Sequence, residues 1–332
     1  MLKLEYGINM AGTETFRFAM NKNAFGRGLN AQTMPKALRF YLVPPPGRIF
    51  AQGDLSQAEA RVVAYLSKCK QLIEVFNDPK RHVHQENAIA IFGHTVAKDS
   101  PEYVLAKGIL HASNYRMGPH QFAVSTGMDI KTCKDLLEKY HGARPEIHRW
   151  HDWVWAEIKR CGTLETPLRD RRVFYGAVAA FNSMGKMLDK QWKDAIAWVP
   201  QATVPHVTNL GIIGMYDEFA KASDFCAFHH QGHDSFLVSI PKGEEQRFAE
   251  SAIKHFTIQL NINGLKFVIP MELGFGYNFG DMMPWAGESI TSIQWQTWLD
   301  NKLAKRDRSA DVLAGTYGVH LSNWRPNENK LS

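Results

Sequence analysis

The chain has 332 residues, which at roughly 150 residues per domain gives about two globular units and excludes a mini-protein. Hydrophobic residues make up 45% and charged residues 22%, excluding wholesale disorder and collagen-like repetition. The 39 Lys and Arg against 33 Asp and Glu give +6, a balance that suits a polyanionic partner without identifying one.

No apolar run approaches the roughly 18 residues of a membrane span, and Met1–Tyr6 lacks an apolar signal-peptide core. The expectation is a cytoplasmic protein with no membrane partner. Cys69, Cys133, Cys161 and Cys226 lie too far apart for a CxxC pair or a zinc ribbon and read as reduced structural thiols.

The first forty residues mix short extended pieces with polar turns. Pro44-Pro45-Pro46-Gly47 then halts the chain before the apolar run Arg48–Gln52, a predicted strand that ends at Gly53-Asp54. Val62, Val63, Leu66, Ile73 and Phe76 recur near every third, fourth and seventh position, predicting one apolar helix face. Ser100 as cap and Pro101 as first helical residue open a helix through about Tyr115. Helical stretches continue to about residue 194, and a separate helical piece follows Pro200. His229–Ser235 leads into the alternating Phe236–Ile240, which predicts strand, polar turn, strand. From Pro284 the chain becomes a Trp-bearing amphipathic stretch, then the basic run Lys302–Arg308 and a polar end. Trp295, Trp298 and Leu299 share one helical side there, which suits a docking surface and packing on the chain's own body equally.

Asp54 and Asp234 each lie at the end of a strand or in its turn, where a lone Asp is ordinarily a cap. A glycine within two residues before each lets backbone or a ligand come close. Brought together, the two carboxylates could hold two hard cations about 3.5–4 Å apart, the arrangement used in phosphoryl transfer. Glu59 follows Ser56 by three residues, a capping-box pattern. Tyr103, Lys107, His111 and Tyr115 are spaced by four and form one helical stripe that suits a nucleotide better than a core.

Asp54-Leu55-Ser56-Gln57-Ala58-Glu59-Ala60-Arg61 resembles motif A of the family A DNA polymerases, usually DYSQIELR. His233-Asp234-Ser235 resembles their motif C, usually HDE, and Lys107 through Tyr115 resembles motif B. Thr13–Ala19, Asn30–Pro35 and Gln201-Ala202-Thr203 resemble the TATGRLS, NLQNIP and QGT segments, so the likeness covers roughly residues 3 to 283.

The resemblance implies that Asp54 and Asp234, with the Leu55 carbonyl, ligate two Mg²⁺ ions while a primer 3′-hydroxyl attacks the α-phosphate of an incoming dNTP. It places Lys107 on the nucleotide phosphates, His84 beside them, His111 by the sugar and Tyr115 by the templating base. Gln57 falls among the nucleotide-binding residues, and Glu59 becomes the gate that excludes a ribose 2′-hydroxyl. Arg17, Asn30, Gln32, Gln201 and His233 correspond to residues near primer-template DNA. Arg169, Arg171 and Arg172 are candidates to extend that track, although an Arg-rich turn is usually solvated.

The departures are Leu55 for Tyr, Phe16 for Gly, Ser235 for the second acid of motif C, and Tyr103 for a phosphate-binding Arg that Arg81 or Lys80 would have to replace. The expected fold is α+β: an antiparallel polymerase palm from residues 1–60 and 195–285, helical fingers at 61–194 and a C-terminal extension at 286–332. The expected function is template-directed DNA synthesis in a bacterial or phage-infected cell. Because palm-like sequence begins almost at Met1, either a second polypeptide supplies a thumb and exonuclease domain or the chain is a fragment, and the first is the expectation. The rivals are a single-subunit RNA polymerase-like enzyme and a non-catalytic DNA-binding replisome subunit.

Overall fold

The structure is a computed structural model describing residues 5–10, 12–28, 30–98, 100–175, 189–219, 225–287 and 294–302. Strands β1 (Gly7–Asn9) and β2 (Ala19–Asn21) pair antiparallel, and Asn30 caps a 3-10 turn at Ala31–Thr33 before the single turn α1 (Lys36–Arg39). The run after the Pro-Pro-Pro-Gly stop forms β3 (Arg48–Leu55). A long helical section follows: α2 (Ala58–Ser67), α3 (Lys70–Asn77), α4 (Val83–Phe92), α5 (Pro101–Asn114), α6 (Pro119–Thr126), α7 (Ile130–Ala143) and α8 (Pro145–Cys161). The small hairpin β4 (Thr163–Glu165) and β5 (Arg171–Val173) leads on to α9 (Asp189–Phe219). Strands β6 (Ala227–Gly232) and β7 (Ser235–Pro241), α10 (Glu245–Phe256), the hairpin β8 (Gln259–Ile262) and β9 (Leu265–Val268), then β10 (Met271–Asn278) and β11 (Asp281–Pro284) complete it.

The central sheet is antiparallel, in the order β11-β10-β3-β7-β6. Side chains alternate between its faces, and the alternation separates structure from chemistry. Ile49, Ala51, Leu55, Phe236, Val238, Ile240, Leu273 and Phe275 join the main core, to which α10 contributes Phe248 and Phe256. The opposite face carries Phe50, Asp54, Ser235, Leu237 and Glu272. The fold is therefore α+β, with an antiparallel sheet split in sequence by a helical section, as the sequence implies.

Gly53 is where the core demands a missing side chain. A Cβ there would lie 2.5 Å from the Phe236 ring, so the space serves a core aromatic instead of a ligand or backbone. Gly53→Ala should cost about 1–3 kcal/mol through overpacking, measured as a lower urea midpoint at constant slope.

Two sequence expectations change, and one alternative left open is decided. The single helix face through Phe76 belongs to two helices, because Lys68 is left-handed (φ 56°) and ends α2 before Cys69 starts α3. Both helices still face inward, which preserves the spacing across the break. The prolines at 200 and 205 do not divide α9, a continuous helix of 31 residues, so the expected boundary at 194/195 falls inside it. Each proline removes one helical hydrogen bond and leaves a carbonyl four residues earlier without its amide. Finally, residues 294–302 are helical and packed on the chain itself. Trp295 is 8% exposed, meets Tyr277 edge-on and donates from its indole to the Asp281 carbonyl, while Lys302 pairs with the Asp281 carboxylate at 2.9 Å. Of the two readings open for this stretch, Trp295 takes packing on the chain's own body. Most of the extension, from residue 303 on, lies outside the described residues.

Helix α2 shares in three cores. Val62 and Tyr65 join the sheet-side cluster, Ala64 joins the helical cluster with Leu72, Ile109 and Tyr140, and Val63 joins a third with Trp150 and Trp198.

Candidate active site

Asp54 sits near the carboxyl end of β3, paired with Ser235 on one side and Glu272 on the other. The β6–β7 turn holds His233 and Asp234, and it is fixed by main-chain bonding: the Leu55 amide donates to the Asp234 carbonyl at 2.8 Å. Thr208 of α9 also donates to the His233 carbonyl. Two acids remote in sequence are thereby brought to one sheet rim. The Leu55 side chain is 1% exposed in the core beneath, so only its backbone can serve the site.

A cleft of about 570 Å³ opens there. Asp54, Asp234 and Glu272 lie along the sheet, Gln57 and Glu59 come from the start of α2, His84 from α4, and Lys107, His111 and Asn114 from α5. Ser100 accepts from the Tyr103 amide as the expected α5 cap, and the helix presents Lys107 and His111 to the acids. Burial, then the neighbouring Asp234 and Glu272 carboxylates, push the Asp54 carboxyl up to about 7, while Lys107 opposes the rise. Concentrated negative charge of this kind favours a cation, and an all-oxygen donor set suits a hard one. Among the described residues, no group of three or more His, Cys, Asp or Glu side chains converges on a single ion position.

Glu59 departs from the capping box. Gln57, left-handed at φ 51°, is the N-cap of α2 and no side chain caps that end. Instead the Tyr115 hydroxyl donates to one Glu59 oxygen and Arg17 pairs with the other at 2.5 Å. Gln201 hydrogen-bonds to Tyr115, so Arg17, Glu59, Tyr115 and Gln201 form one network. Burial and the adjacent Glu59 charge hold the Tyr115 phenol protonated.

The remaining expected residues divide between the cleft and its scaffold. His84 lines the cleft, its ring edge-on to Tyr103, and burial and Lys107 depress its pKa to about 4. At neutral pH it offers a hydrogen bond, not a charge, to an anion. Arg81 pairs with Glu86 at 2.9 Å, which engages one of the two cations, Arg81 and Lys80, expected to replace the missing Arg. Asn30 accepts from the Gln32 amide. The Gln32 side chain donates to the carbonyls of Phe18 and Gln231, tying the N-terminal segment to β6. Arg169 and Arg171 both pair with Glu165, and Arg172 pairs with Glu14. The sequence reading missed Glu272, which stands in no motif, and Asn114, which lies within the Lys107–Tyr115 stretch but outside its stripe of residues spaced by four.

Comparison with known proteins bears on this geometry. The model of DNA polymerase family A matches residues 5–281. The chain belongs to family A of the DNA polymerases. Among its relatives, the DNA polymerase of Mycobacterium phage D29 is 32% identical over 147 residues, covering 43% of this chain and 24% of that protein. The thermostable DNA polymerase I of Thermus filiformis is 24% identical over 271 residues, covering 78% of this chain and 32% of that protein. This family A chain therefore spans about a quarter to a third of the length of these relatives. Its fold is similar to the POL domain of Pol1 from M. smegmatis, solved in complex with DNA primer-template and dNTP. That likeness has a TM-score of 0.71 at 18% identity and covers 83% of this chain and 48% of that one. Among the described residues, no helix of the family A chain is long and apolar enough to cross a membrane.

Proposed function

We propose that the chain carries out template-directed DNA synthesis, adding deoxynucleotides from dNTPs to a primer 3′-hydroxyl, with Asp54 and Asp234 holding two Mg²⁺ ions. The observation that supports this reading is a single cleft with the two acids along the sheet and Lys107 and His111 on α5. Bound Mg²⁺ would activate the attacking hydroxyl and offset charge on the transferred phosphoryl group.

The chain's own residues do the positioning. Asp54 and Asp234 would hold the ions at the sheet rim, where the reacting end of the primer lies. Lys107 brings a compact charge to the nucleotide phosphates and supplies a proton to the leaving pyrophosphate, while neutral His84 adds a donor beside it. His111 and Tyr115, edge-on with ring centroids 5.0 Å apart, border the sugar and the templating base. Gln57 completes the nucleotide side of the cleft. Arg17, Gln201 and His233 face primer-template DNA, whereas Asn30 and Gln32 brace the segment that carries Arg17.

Glu59, held by Tyr115 and Arg17, occupies the space of a ribose 2′-hydroxyl. Glu59→Ala should raise ribonucleotide over deoxynucleotide incorporation at least about tenfold, or roughly 1.4 kcal/mol. Orphaning two partners should also cost about 1–3 kcal/mol of stability. Paired extension assays with dNTPs and NTPs test both the gate and the reaction class. A constant ratio in the variant removes the gate, and wild-type preference for NTPs would replace DNA synthesis with RNA synthesis.

A further inference from the structure

Where the family pattern has a second acid in motif C, this chain has Ser235. Asp54 pairs directly with Ser235 on β7 and directly with Glu272 on β10. Directly paired residues on adjacent strands project from the same face, their Cβ atoms about 4.5–5.5 Å apart. Glu272, Asp54 and Ser235 therefore form one row across three strands, on the face away from the core, with a carboxylate on the flank of Asp54 opposite the serine. Like charges directly opposite one another destabilise a sheet, so the pairing of Glu272 with Asp54 does not itself stabilise the strands.

The cleft beside the row also presents buried polar atoms to whatever enters it. Asn114 is 2% exposed and lines it, and its Oδ1 is buried without a hydrogen-bond partner among the described residues. Gln57 Oε1 and His84 Nδ1, which line the same cleft, are buried and unpartnered too.

Resting on the function proposed above, we infer that Glu272 is the third carboxylate of the centre, displaced by two strands from Ser235, and that it strengthens cation binding at Asp54 and Asp234 through the water shell of the bound ion. An outer position fits two observations. Glu272 is exposed at the cleft, and the three carboxylates do not converge on one ion site. Magnesium keeps several of its waters when protein-bound, so a carboxylate one strand away acts on it through hydrogen bonds to those waters. The competing role is as counter-charge to half-buried Arg61, whose guanidinium already donates to the carbonyls of Ser56 and Phe76.

The experiment is titration of the full chain with Mn²⁺, following free Mn²⁺ by electron paramagnetic resonance and displacing it with Mg²⁺. Wild type, Glu272→Gln, Glu272→Ala and Asp54→Asn are compared, with thermal melting as the check on folding. Glu272→Gln and Glu272→Ala should each weaken Mn²⁺ binding about three- to tenfold. Affinity within twofold of wild type in the two Glu272 variants, with Asp54→Asn weakened, overturns this inference alone and leaves Glu272 as the partner of Arg61. If Asp54→Asn binds Mn²⁺ as wild type does, the underlying two-acid reading falls with it.

Discussion

Asp54→Ala and Asp234→Ala should each reduce Mg²⁺-dependent primer extension at least about a thousandfold, or roughly 4 kcal/mol of barrier, while affinity for duplex DNA changes little. Asp54 stands on β3 and Asp234 in the adjoining β6–β7 turn, joined by the Leu55 amide to Asp234 carbonyl bond, so neither can substitute for the other by a side-chain rotation. Charge clamping matters in the transition state of phosphoryl transfer, whereas duplex affinity comes mainly from Lys and Arg at phosphates. Single-turnover incorporation of one dNTP, alongside anisotropy of a labelled duplex, separates the two effects. A variant retaining a tenth or more of wild-type incorporation would remove its acid from the centre.

Asp54→Asn should make the metal-free protein more stable at pH 8 than wild type, with the advantage vanishing near pH 4. The wild-type carboxyl titrates at about 7 in the fold against an ordinary value of 3.8. Between those values the folded chain holds a proton that the unfolded chain has lost, so wild-type stability falls as pH rises from about 4 to 7. The loss is complete above that window. Asn has no charge to desolvate or repel, and it escapes the penalty. Partial solvent access limits the difference to about 1–2 kcal/mol, a shift of several degrees in thermal melting with chelator present. Added Mg²⁺ should raise wild type and close the gap, since a ligand that binds only the folded state stabilises it. An Asn variant that melts at or below wild type at pH 8 without metal would contradict the crowding of Asp54 by Asp234 and Glu272.

Much of this architecture was legible in sequence wherever the signal was local. The strand ending at Asp54, the turn at Asp234 and the Ser100-Pro101 start of α5 each rest on a few adjacent residues, and each is found. The misreadings came where tertiary contacts overruled a local pattern. Ser56 and Glu59 have capping-box spacing, but Arg17 and Tyr115 take the carboxylate and the helix starts at a left-handed Gln57 instead. The prolines of α9 look like terminators, yet the helix continues because Ala195, Trp198, Val204 and Val207 are buried on both sides of them. The β8–β9 hairpin did carry a local signal, the Asn263-Gly264 pair with both φ positive, a common two-residue turn. Glu272 carried none. Its place beside Asp54 follows from the register of two strands far apart in the chain, which no window of sequence contains.

The sheet and the helical section each have their own hydrophobic cluster, an arrangement that in separate bodies would melt in two stages. Helix α2 prevents that separation. Its ten residues supply Val62 and Tyr65 to one cluster, Ala64 to another and Val63 to the third, leaving no apolar side that either half could keep after losing the other. Asn263 of the β8–β9 turn adds to the tie by donating to the Tyr65 and Leu66 carbonyls at the end of that helix. The consequence is thermodynamic coupling. Damage to either half is felt by the other as lost cooperativity, and the acids on the sheet and the lysine on α5 are retained or lost together in one unfolding event.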